Sequence, residues 1–128
     1  MKKLIALFSL MACFAMAANA EAEIKFDKLT HNFGTFKESD AIQKYTFTFT
    51  NVGDQPLILN QVMASCGCTT PKYTKAPIAP GQKGEISVTY NSKNSWPGHF
   101  KKSITVRSNG KVQMTRLYIE GTMVEEKK

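Results

Sequence analysis

The chain has 128 residues, 42% of them hydrophobic, with 17 basic against 10 acidic side chains and a formal net charge of +7. That length fits one domain with a modest core rather than two domains. The basic excess does not mark a nucleic-acid binder, because the lysines are scattered and no basic run is interleaved with stacking aromatics.

The opening stretch, MKKLIALFSLMACFAMAANAEAE, has two lysines, an uncharged apolar run from Leu4 to Ala18, and then Ala18-Asn19-Ala20 before the acidic Glu21. A basic start, an apolar middle and an A-x-A end predict a secretory signal over residues 1–20, cleaved after Ala20. The apolar run falls short of the ~20 residues needed to cross a bilayer, so no transmembrane anchor is expected. Leu10-Met11-Ala12-Cys13 loosely matches a lipoprotein signal. Met11 suits that context poorly and Phe14-Ala15-Met16 continues the apolar run, so a lipid anchor at Cys13 is the minor alternative. The expected address is outside the cytoplasm, with the periplasm as the leading compartment. Subtracting the 20-residue leader from 128 leaves residues 21–128, and removing Lys2 and Lys3 leaves 15 basic against 10 acidic side chains. A net charge of that size is ordinarily a solvated surface, although it would favour an anionic one.

From Ile24 onward the apolar period is two. Ile24 and Phe26 alternate with Lys25 and Asp27, which predicts a strand. His31, in THNFG, reads as a turn residue, and FKESD at 36–40 as a connection. Tyr45, Phe47 and Phe49 alternate with threonines and predict a half-buried strand whose aromatic side faces the core. After the breaker NVGDQP, the segment PLILNQVMAS is apolar on both parities, as in a strand covered on both faces. Pro71 places the short TTPKY strand at a sheet edge. PIAPGQKG precedes a strand and not a helix, so it is read as a turn and not a phosphate cradle. Ile86, Val88 and Tyr90 alternate again, NSKNSWPG breaks the pattern, and HFKKSITVRS and VQMTRLYIEGTM flank Asn109-Gly110, a signal for a two-residue type I′ hairpin turn. The terminal EEKK is expected to fray. About seven strands in roughly 100 residues predict an all-β, immunoglobulin-like antiparallel β-sandwich. The antibody Cys, Trp, Cys spacing is absent.

NVGDQPLIL, SCGCTTP, PIAPGQKGEISVTY, GHFKKSITVRSN and LYIEG together resemble a secreted bacterial family, domain of unknown function 1573. The resemblance spans the expected mature chain. It implies an immunoglobulin-like fold similar to Hydin-type (ASH) and major-sperm-protein domains, and it implies no activity, since fold alone does not fix function.

The inventory for catalysis is sparse. His31, His99 and ten carboxylates come without G-x-S-x-G, H-E-x-x-H or a glycine-rich phosphate loop, so an enzyme is disfavoured. What remains is Cys66-Gly67-Cys68. If successive strands run antiparallel, this segment, SWPGHF and FKESD share one pole of the sandwich, gathering Cys66, Cys68, Trp96 and His99. Loss of Cys13 with the leader leaves Cys66 and Cys68 as an even pair in an oxidising compartment, which favours a local disulfide. Gly67 is expected to supply the tight backbone of so small a ring. A soft-metal site for Cu(I) or Zn(II), formed by Cys66, Cys68 and His99 with Met63 upstream, is one alternative. A redox thiol pair and inert packed thiols are the others. Trp96 is expected in the core or capping it, as large aromatics usually are, with a contact residue at a binding pole as the functional alternative. The sequence therefore predicts an exported binding or structural module with a protein or cell-envelope partner. The alternative is a soft-metal-binding or thiol-redox protein.

Overall fold

A computed structural model describes residues 20–126. The expected signal segment up to residue 19, including Cys13, lies outside the described residues. Eight strands form the fold: β1 (Ile24–Phe26), β2 (Thr30–Lys37), β3 (Ile42–Asn51), β4 (Leu59–Ala64), β5 (Thr69–Tyr73), β6 (Lys83–Asn91), β7 (Gly98–Ser108) and β8 (Met114–Val124). They build two four-stranded sheets, in the orders β1-β3-β6-β5 and β2-β8-β7-β4. The fold is the expected all-β, immunoglobulin-like sandwich. Its extra strand arises because the first segment splits, β1 pairing antiparallel with β3 and β2 crossing to pair with β8. That second pairing is parallel, the one departure from an antiparallel arrangement.

The period-two pattern explains which side chains meet between the sheets. Phe47 and Phe49 of β3, Ile86, Val88 and Tyr90 of β6, Ile104 and Val106 of β7, and Leu117 and Ile119 of β8 are all buried. Their alternates, such as Thr46 and Thr48 facing Ser87 and Glu85 in register, form the outer face. Burying these apolar side chains stabilises the fold by about 1.5 to 3 kcal/mol each before the entropy of ordering the chain is charged against it.

Two edge strands change parity midway. In β4 a register shift between Leu59 and Gln61 leaves Leu57 and Leu59 inward before it and Val62 and Ala64 turned to the inner face after it. This bulge is why PLILNQVMAS is apolar on both parities. The segment is not covered on both sides, and Ile58 and Met63 are exposed. In β2 a shift between Asn32 and Thr35 does the same, moving the inward set from His31 and Phe33 to Phe36. Gly34 adopts φ 75° at that bulge, with its N–H donated to Asn32 Oδ1 at 2.7 Å.

His31 is accordingly a strand residue and not a turn residue. Its ring stacks on Tyr45 with centroids 3.7 Å apart and meets Phe33 edge-on. Burial, with Lys28 adding to it, pushes the imidazole below its usual pKa.

The Asn109-Gly110 segment also departs from expectation. Neither residue has positive φ, so the β7–β8 connection is a longer loop and not a two-residue I′ turn. Asn109 has other work: its Oδ1 accepts the Ile58 N–H at 2.8 Å and its Nδ2 donates to the Pro56 carbonyl at 3.1 Å, tying this loop to the one before β4. At the same pole the fully buried Asn51 donates to the Gln55 and Ile78 carbonyls and accepts from Gly53 and Glu23 amides.

Candidate functional site

The opposite pole carries the cysteines. Ser65 ends the β4 ladder by donating its N–H to the Ser103 carbonyl at 2.9 Å, and the chain then crosses to the other sheet. The crossing is a tight turn closed by Thr69 N–H donating to the Cys66 carbonyl at 3.2 Å. The Cys68 carbonyl accepts from Asn91 N–H at 2.8 Å, which pins the turn to the end of β6. Next to it, the Ser92 N–H and hydroxyl both donate to the Ala41 carbonyl at 2.9 Å, bringing the β2–β3 connection to the β6–β7 loop. The three connections expected to share a pole do share it.

Cys66 and Cys68 are joined by a disulfide, with Cα atoms 5.3 Å apart. Both residues are half-buried, and Cys68 packs against the core. The Cys68 N–H donates to Cys66 Sγ at 3.2 Å. The hydroxyl of Thr69, itself buried, lies 3.9 Å from Cys66 Sγ and 3.7 Å from Cys68 Sγ. Gly67 does not have the positive φ that would require glycine, and a side chain there would meet nothing within 4 Å. The tight backbone expected of Gly67 is therefore not what its lack of a side chain provides. Gly67, Cys68, Asn91, Asn94 and Ser95 line a shallow cleft of about 350 Å³.

The other two expected site residues stand apart from the sulfurs. Phe100, Ile104 and Val106 set the inward parity of β7, so His99 lies on the outer face, where it is exposed. Ser65 bonds to Ser103, four residues further along β7 than His99, a span of roughly 13 Å along a strand. Among the described residues no group of three or more His, Cys, Asp or Glu side chains is placed to hold a metal ion. The trio proposed for Cu(I) or Zn(II) thus shares a pole without converging. Trp96 is not a core residue: 92% of it is exposed, in the β6–β7 loop. Sequence reasoning missed Thr69 and Asn91, which hold the cysteine turn, since neither threonine nor asparagine stands out in a strand-rich chain. Lys102, half-buried, shares the inward parity of Ile104 and Val106.

The model of the family described as protein of unknown function (DUF1573) matches residues 24–123, nearly the whole sandwich. The chain belongs to the DUF1573 family. This DUF1573 chain is also similar in structure to a protein of unknown function from Porphyromonas gingivalis W83, at 18% identity and a TM-score of 0.71, covering 83% of this chain and 50% of that one. It spans about half the length of that neighbour. The ASH/PapD-like domain 7 of human CEP192 is similar at 9% identity and a TM-score of 0.68, covering 88% of this chain and 93% of that domain. WR4, a C. elegans MSP family member, is similar at 12% identity and a TM-score of 0.52, covering 80% and 99%. At these identities the likeness is one of fold, and it bears out the expected similarity in fold to ASH and major-sperm-protein domains. Among curated protein sequences none matches this chain. No helix among the described residues is long and apolar enough to cross a membrane.

Proposed function

We propose that this DUF1573 chain is an exported, non-enzymatic binding module that meets a protein partner of the cell envelope through the pole carrying Trp96. The observation that carries this reading is the 92% exposure of the one tryptophan in the chain. Exposed tryptophan is costly to hydrate and is enriched among the residues that dominate protein interfaces. The neighbouring loops are held by backbone hydrogen bonds at Ala41, Cys68 and Asn91, so the surface around Trp96 is pre-organised. Export is supported by the leader pattern and by cysteines paired in a bond that persists in an oxidising compartment. The two imidazoles also argue against catalysis. His31 is stacked against Tyr45 on the inner face and His99 stands on the outer face, so they do not form an acid–base pair.

Site-specific photo-crosslinking tests the reading in the native envelope. A photoreactive aromatic amino acid at position 96 should give a discrete protein adduct, and one at Thr48 on the outer sheet face should not. Equal, diffuse labelling at both positions would end the proposal. The exported protein should have an intact mass beginning at Glu21, and retention of residues 1–20 or a lipid on Cys13 would overturn the soluble form of it.

A further inference from the structure

The Cys66–Cys68 bond closes a ring across a single residue, so it removes little freedom from the unfolded chain and is a weak staple. Its surroundings favour chemistry instead. One flank is bare, because Gly67 presents no side chain although the space would admit one. Cys68, and not Cys66, lies on the wall of the cleft that opens there. Cys66 Sγ is the sulfur that accepts the Cys68 backbone N–H, while the Thr69 hydroxyl lies within reach of both sulfurs and does not distinguish them. A donated N–H stabilises a thiolate more than a neutral sulfur. Lys102 adds a charge. Its parity is that of the inward-facing Ile104, and the Ser65–Ser103 hydrogen bond sets it about level with Cys66. A cation beside a cysteine favours the thiolate.

We infer that this disulfide is a redox couple that accepts electrons from a dithiol protein, with Cys68 Sγ as the sulfur attacked and Cys66 Sγ as the leaving group. A thiolate of the partner enters the cleft and forms a bond to Cys68 Sγ. The Cys66–Cys68 bond breaks, and its electron pair leaves on Cys66 as a thiolate held by the Cys68 N–H and the Thr69 hydroxyl. The partner's second thiol loses its proton to water and attacks the partner sulfur of the mixed disulfide, expelling Cys68. The two cysteine thiolates take up two protons. In sum the chain gains two electrons and two protons, and the partner dithiol becomes a disulfide. Because this chemistry needs no contact at Trp96, it stands or falls separately from the binding proposal.

The test uses the oxidised mature protein, residues 21–128, with reduced glutathione as the attacking thiol. After a short native incubation and an acid quench, freed thiols are alkylated and the peptides are located by mass spectrometry. Reaction is expected within the minutes to hours of uncatalysed exchange, with glutathione on Cys68 and the alkyl group on Cys66. Lys102→Gln, checked for native fold by circular dichroism, should slow the reaction severalfold, whereas Lys101→Gln, on the outer face, should not. Glutathione on Cys66 would overturn the assigned direction, and equal rates for the two lysine variants would remove Lys102 from it. A bond that is reduced only in denaturant would overturn the proposal as a whole.

Discussion

Asn51→Ala should be among the most damaging polar substitutions in the chain. Asn51 is fully buried, and its side chain spends all four of its hydrogen-bonding sites on backbone. Oδ1 accepts from Gly53 N–H at 3.0 Å and Glu23 N–H at 3.3 Å, and Nδ2 donates to the Gln55 and Ile78 carbonyls at 2.7 and 2.9 Å. A net value of about 1 kcal/mol for each bond gives an upper figure of about 4 kcal/mol. Two features reduce it. The Ile78 carbonyl keeps the Leu57 N–H at 2.8 Å, and the Gly53, Glu23 and Gln55 groups are only partly buried, so water can replace some of what is lost. The expected loss is about 2 to 4 kcal/mol. Asn51→Asp sharpens the test. A carboxylate can still accept both amides but points an oxygen at two carbonyls. It should be no more stable than the Ala variant at neutral pH. Urea unfolding followed by circular dichroism is the assay, since Trp96 is already exposed in the native state and reports little on folding. A loss below about 1 kcal/mol for the Ala variant would show that the four bonds do not organise this pole.

Three further outcomes follow from the same geometry. Phe47→Ala should cost about 3 to 5 kcal/mol because Phe47 is 1% exposed, and Thr48→Ala on the outer face far less; equal denaturation midpoints would refute the parity of β3. Replacing both Cys66 and Cys68 by serine should cost about 1.5 kcal/mol or less by the loop-entropy relation, which a thermal melt beside wild type would check. His31 titrates below its ordinary value in the fold because burial and Lys28 oppose its charge, so the unfolded chain binds the proton first. Its contribution to stability is complete above pH 6.5 and is lost as pH falls toward the lowered folded value. His31→Phe should flatten that part of the pH profile, and an unchanged slope would remove His31 as its source.

Alternation alone made the sandwich legible, since Phe47, Ile86, Val88, Ile104 and Leu117 sit where a period of two places them. The shared pole was legible too, because antiparallel succession sends alternate connections to the same end. What the pattern hid was its own interruptions. A bulge inserts one residue and reverses parity, so β4 imitates a doubly covered strand and His31 of β2 falls outside the expected periodicity. Asn109-Gly110 misled for a different reason. The hairpin rule treats turn residues as local, whereas Asn109 is held by Pro56 and Ile58 across the pole. His99 lies at the expected end, but topology alone says nothing of its face, and the parity of β7 turns it outward. Size alone places Trp96 in the core or capping it, although it lies between breakers in a loop and is exposed.

The two bulges have a consequence for how this protein can meet others. Each sheet has two outer strands whose unpaired N–H and C=O groups would template a further strand. In one sheet those strands are β2 and β4, and each is broken by a bulge. In the other they are β1, three residues long, and β5, which carries Pro71 in its middle. A neighbouring chain thus finds no long, regular row of backbone groups to extend. The fold is blunted against strand addition at all four margins, so a partner of the kind proposed above would have to be met by the loops of its poles.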